Sequence, residues 1–177
     1  MPADAVENML SQVGHFARPP LERWHPPLSG AIDIRIDADG RWFHEGVSMQ
    51  RQELVKLFAS ILRFEDDEGF VLVTPVEKWR IHVEDAPFIA TAVVSRQCGG
   101  LPCLCFATNV GEEVCADASH PLFLRVSDGV SKPYLQLRHG ICAKLSRPVY
   151  YELAGLAATR DGRYGVWSGG VFFPLEA

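Results

Sequence analysis

Between Thr74 and Phe88 the sequence places Glu77, Lys78, Arg80, His82, Glu84 and Asp85 among Trp79 and Phe88, its densest run of groups able to carry charge or a proton. Such a mixture can bind a polar small molecule, perform general acid–base work, or pair off to hold a domain junction. His82 and Glu84 alternate along a strand-like stretch and therefore share a face. A second polar group follows at Thr108, Asn109 and His120, residue types that serve equally well in turns. Arg51 and Arg147 each open an expected helix, where their charge adds to the positive end of the helix dipole and favours an anion. The candidate ligand-binding set is therefore Arg51, Thr74, Glu77, Lys78, His82, Glu84, Asp85, Asn109, His120 and Arg147, with no residue assigned a catalytic role.

Other chemistries are weaker. Asp37 and Asp39 before Gly40 suggest a calcium loop, but Arg35 and Gly46 stand where the first and last oxygen ligands belong, so the stretch reads as a hairpin turn. Cys103 and Cys105 would share a strand face, yet no second close pair completes a zinc set, and strand cysteines commonly pack as small apolar residues. No metal and no cofactor are expected. His139 and Cys142 would need mutual hydrogen-bond reach to act as base and nucleophile, which their spacing does not establish. The phosphate-binding loop, the dinucleotide glycine fingerprint and the G-x-S-x-G elbow are all missing.

The chain has 177 residues, 47% of them hydrophobic and 22% charged, which is the composition of a folding, globular chain. Its net charge of -5 disfavours nucleic acid as a partner, because phosphate binding relies on clustered Lys and Arg. The acidic N-terminal stretch lacks the basic start of a secretory signal, and no apolar run approaches the ~20 residues needed to span a bilayer. A cytoplasmic protein is expected, with all five cysteines as free thiols. The expected partner is a small molecule, anionic on the arginine argument, with no nucleic acid and no membrane; a homo-oligomer stays open.

The elements that must position these groups form two similar series. Val6, Met9, Leu10 and Val13 fall on one face of a short helix, and the prolines around Trp24 predict an extended segment anchored by that indole. Ile32, Ile34 and Ile36 alternate into a hairpin through Asp39-Gly40, and Leu54, Leu57, Phe58, Ile61 and Leu62 form a helical stripe before strands at 70–74 and 80–84. The second series runs from 122 to 126 through Asp128-Gly129 to 134–137, a helix beginning at Arg147, and a closing hairpin around Ser168-Gly169-Gly170. Strands at 88–97 and 101–108 extend the second sheet. The predicted fold class is α+β: an N-terminal helix and proline-rich segment over 1–30 and two small domains over 31–85 and 86–177, sharing a duplicated hairpin-helix-hairpin motif. On that reading 32–84 superposes on 122–175.

Asp39-Gly40-Arg41-Trp42-Phe43-His44-Glu45-Gly46, Thr74-Pro75-Val76-Glu77-Lys78, Val83-Glu84-Asp85-Ala86-Pro87-Phe88, Thr108-Asn109 and His120-Pro121-Leu122 together resemble a bacterial family known only as domain of unknown function 1285. The resemblance spans Trp24 to Leu153. It implies a two-domain α+β fold with a repeated motif, a second domain superficially like a pleckstrin-homology fold, a ligand site between the domains, and a role in signal transduction or stress response. The function expected is thus a small-ligand-binding or regulatory module. Two alternatives stand beside it: an enzyme working through His82, Glu84, Asp85 and His120, and a structural interaction module using a sheet edge or the N-terminal helix.

Overall fold

The computed structural model describes residues 2–176, which divide into two compact units at 87/88. The first opens with helix α1 (Pro2–Val13), whose Ala5, Met9 and Val13 recur every fourth residue and are buried. The proline-rich stretch that follows is extended apart from one tight turn at Leu21–Arg23. Trp24 is buried edge-on against Phe16, with ring centroids 5.3 Å apart, and Arg63 donates to the carbonyls of Leu21 and Trp24 at 2.7 and 2.8 Å. The expected anchoring role of the indole is what the structure shows.

The body of this unit contains β1 (Leu28–Ile36), β2 (Trp42–His44), β3 (Val47–Ser48), α2 (Gln52–Ser60), β4 (Leu62–Glu65), β5 (Gly69–Val73) and β6 (Lys78–Val83). The strands form one sheet in the order β3-β2-β1-β6-β5-β4, with β1 and β6 parallel and the other pairs antiparallel. The β1–β2 turn forms because the Asp37 carboxylate accepts from the backbone N–H of Asp39 and of Arg41, both at 2.9 Å, while Gly40 takes a φ of 78° that a Cβ would disfavour. Ile32, Ile34 and Ile36 are buried, as are Val55, Phe58 and Ala59 of α2, and Phe58 stacks on Trp42. Each such large side chain contributes about 1.5–3 kcal/mol on leaving water.

The second unit contains β7 (Phe88–Cys98), β8 (Leu101–Thr108), β9 (Glu113–Cys115), β10 (Leu122–Ser127), β11 (Val130–Arg138) and β12 (Ile141–Leu145), then α3 (Arg147–Gly155), β13 (Ala158–Arg160), β14 (Arg163–Ser168) and β15 (Val171–Pro174). Its six-stranded sheet runs β10-β11-β12-β7-β8-β9, with β7 and β12 parallel at its centre, and β13-β14-β15 form a separate sheet. Read from the other end, β9-β8-β7-β12-β11-β10 traces the same path as β3-β2-β1-β6-β5-β4. The chain is therefore α+β with a repeated sheet, in a different phase from the one expected.

Three strands, a helix and three strands do recur along 28–83 and 122–174, but the pairing is unlike. In the first span all six strands share a sheet, whereas in the second β13–β15 stand apart from β10–β12. Superposition of 32–84 on 122–175 thus fails beyond the order of elements. Hydrophobic periodicity reports each element but not which strands a parallel crossover joins, and that crossover defines the repeat here. Leu62 also belongs to β4 and not to the helical stripe, although it is fully buried as the stripe required.

Candidate functional site

The polar segment 74–85 separates into groups with different fates. Thr74 is fully buried, and its hydroxyl accepts from the N–H groups of Val76 and Glu77 at 3.4 and 3.1 Å, closing the β5–β6 turn. Glu77 accepts from Gln12 of α1 at 3.1 Å. Lys78 is 7% exposed, with its ammonium 2.7 Å from Glu65 and in an ion pair with Glu68. Arg63 completes the cluster by pairing with Glu65. Burial alone would raise the Glu65 carboxyl, but hydrogen bonds from Lys78 and Arg63 outweigh it and pull the group down to about 2. Burial likewise works against the Lys78 charge, and the two glutamates overcome it, so its ammonium is held above the ordinary lysine range.

Further along β6 the same face turns toward solvent. His82 is exposed and lies in register with Arg35 of the parallel neighbour β1. Glu84 pairs with Arg35 and also accepts from the N–H of Ala38 at 3.1 Å; the guanidinium sits 4.3 Å above the Phe43 ring. Asp85 is half-buried just beyond, and Arg51 is exposed at the N-cap of α2. The structure thus brings Arg35, Phe43, His82 and Glu84 together on an accessible sheet face, and it commits Thr74 and Lys78 to the interior.

In the second unit Asn109 donates its backbone N–H to the Ile89 carbonyl and accepts from the Ile89 N–H through its side-chain oxygen, both at 2.9 Å, fastening the end of β8 to the start of β7. His120 lies in the loop between β9 and β10. Asp117 organises that loop by accepting from the N–H groups of Ser119 and His120, each at 2.8 Å, and from the His120 ring at 3.1 Å. Burial pushes the Asp117 carboxyl up, and these donors bring it below the usual carboxylate range. Arg147 is the exposed first residue of α3.

A family model described as the N-terminal domain of domain of unknown function 1285 (DUF1285) matches residues 19–86, and the model of the corresponding C-terminal domain matches 87–175. The chain belongs to the DUF1285 family. It is similar to the crystal structure of a DUF1285 family protein from Silicibacter pomeroyi DSS-3, with 40% identity over 94% of this chain and 93% of that one and a TM-score of 0.85. A DUF1285 family protein from Shewanella baltica OS155 is 35% identical over 69% of this chain and 90% of that one, with a TM-score of 0.54. No curated protein matches.

Within this DUF1285 fold, sequence reasoning missed one group of residues. Cys105 and Cys115 are joined in a disulfide, so the expectation of five free thiols is corrected; Cys98, Cys103 and Cys142 are not disulfide-bonded. The reason is local: β9 is only three residues long, too short to show in the hydrophobic pattern, and it sets Cys115 directly opposite Cys105. The sulfur of Cys98 lies 4.0 Å from that of Cys115. Arg35 and Phe43 were visible only as a strand residue and part of a motif. The alternation of Arg35 with the buried isoleucines was the available signal that it faces outward beside β6. Among the described residues no helix is long and apolar enough to cross a membrane.

Proposed function

We propose that the chain is a small-ligand-binding or regulatory module, taking a polar, anionic molecule on the outward face of β6 and β1 through His82 and Arg35, with Phe43 and Glu84 bordering the contact. One observation carries the reading: the exposed imidazole of His82 stands in register with Arg35, whose guanidinium is stacked 4.3 Å above the Phe43 ring and held by Glu84, so the face offers a fixed cation beside a hydrogen-bonding ring.

The proposed setting is signal transduction or a stress response in the cytoplasm, where the Cys105–Cys115 bond would stand reduced. The likeness of the second unit to a pleckstrin-homology fold is offered on the same footing, supported by the run β7–β12 closed by α3. A thermal-shift screen of the full chain against phosphorylated and carboxylated metabolites tests the reading, because a ligand bound only by the folded state raises the melting temperature. A hit should lose its effect in His82→Ala and in Arg35→Gln while the ligand-free His82→Ala chain melts as the parent does. A hit indifferent to both substitutions would move the site elsewhere.

A further inference from the structure

Four thiols of the second unit lie on one face of neighbouring strands. Cys103 and Cys105 alternate along β8, Cys115 faces Cys105 from β9, and Cys98 ends β7 opposite Leu101. In a flat ladder Cys98 would sit four residues out of register with Cys105, a displacement of about 13 Å along the strand. Instead the sulfurs of Cys98, Cys105 and Cys115 all lie within 4.8 Å of one another. The β7–β8 hairpin must therefore bend toward this face. Cys103, buried one alternation along β8 from Cys105 and beside Cys98, borders this group without lying within 4.8 Å of all three sulfurs.

A disulfide requires only Cys105 and Cys115, which their register already supplies. It does not account for the approach of Cys98 to it. A tetrahedral ion does: a zinc–sulfur bond of ~2.3 Å sets the sulfurs about 3.8 Å apart, against 4.0 Å between Cys98 and Cys115. Four clustered thiols also resist losing their protons together, and a thiophilic dication removes that resistance.

We propose that, with the Cys105–Cys115 bond reduced, Cys98, Cys103, Cys105 and Cys115 bind one divalent cation of the zinc class. An external dithiol or phosphine reductant supplies the two electrons that split the bond into two thiols and is itself oxidised. Cation binding then displaces one proton from each of the four thiols. The disulfide form is the oxidised, metal-free alternative.

The test uses the full chain, reduced with a phosphine under anaerobic conditions and titrated with Co²⁺ and then Zn²⁺. The expected result is one cobalt per chain with thiolate-to-cobalt charge-transfer absorption, displaced by zinc. Cys98 is half-exposed, so Cys98→Ser should leave the melting temperature of the reduced, metal-free chain unchanged while weakening cobalt binding at least tenfold. Cys142→Ala, outside the cluster, should leave the affinity unaltered. Absence of the charge-transfer band, or equal affinity in Cys98→Ser, overturns the proposal. So does a Cys105→Ser chain that forms a Cys98–Cys115 disulfide while the reduced parent binds no metal, which would make the cluster a thiol-exchange site.

Discussion

In the first unit helix α2 connects the third strand of the sheet to the fourth, whereas in the second the loop 116–121 makes that connection and α3 follows the sixth strand. The sheet path is the same in both. What differs is how each unit secures the polar groups left by that path. The first places a buried ammonium between two glutamates, with Arg63 on the flank. The second relies on directional bonds to backbone: Asp117 holds the connecting loop, and Ser168 joins β8 to Ala116 at the start of that loop. The Ser168 hydroxyl is fully buried, accepts from the Leu104 N–H at 2.8 Å and donates to the Ala116 carbonyl. One topology thus carries an ionic lock in one unit and a hydroxyl lock in the other.

This contrast orders the expected effects of substitution. Lys78→Ala leaves Glu68 without its cation and Glu65 with Arg63 alone, and unfolding measured in urea should show a loss of about 3–5 kcal/mol. Lys78→Met, which keeps the packing, should behave similarly if charge is the issue; a small loss in both would mean the lock is ornamental. Acid should act on the same point. The folded-state pKa of Glu65, about 2, lies below its unfolded value, so its contribution is present above about pH 4.5 and is lost as pH falls toward 2. A pH series of unfolding should show a drop across that window that is smaller by about 2–3 kcal/mol in Glu65→Gln, the remainder coming from Asp37 and Asp117, whose carboxyls are also held low. Ser168→Ala should cost about 1–3 kcal/mol by stranding the Leu104 N–H and the Ala116 carbonyl, whereas Ser168→Thr should recover part of that loss. Glu84→Gln removes half of an exposed pair and should change stability by less than about 1 kcal/mol. An effect there as large as that of Lys78→Ala would erase the distinction between lock and surface.

The buried faces were legible because their patterns are local. Ile32, Ile34 and Ile36 announced β1, Leu54 to Phe58 announced α2, and Asp39-Gly40 announced the turn between β1 and β2. Strands β3, β9 and β13 were not legible, being two or three residues long and made by pairing with a neighbour. The repeat was visible as an order of elements but was read out of phase, since the parallel pairs β1–β6 and β7–β12 join residues far apart in sequence. At the candidate site, the sequence singled out His82 and Glu84, which do share the accessible face. It also put Lys78 in the ligand set, because a sequence shows a cation but not the glutamates, Glu65 at the end of β4 and Glu68 in the turn after it, that enclose it.

The claim that matters most is that this face binds without converting what it binds. Native mass spectrometry of the full chain with a thermal-shift hit measures both halves at once: the mass retained by the protein, and the mass recovered after denaturation. The account predicts one ligand per chain, retention lost in His82→Ala, and recovery of the ligand at its original mass after prolonged incubation. Time-dependent appearance of a product mass with the parent chain, abolished in His82→Ala, would contradict it and make His82 a catalytic residue.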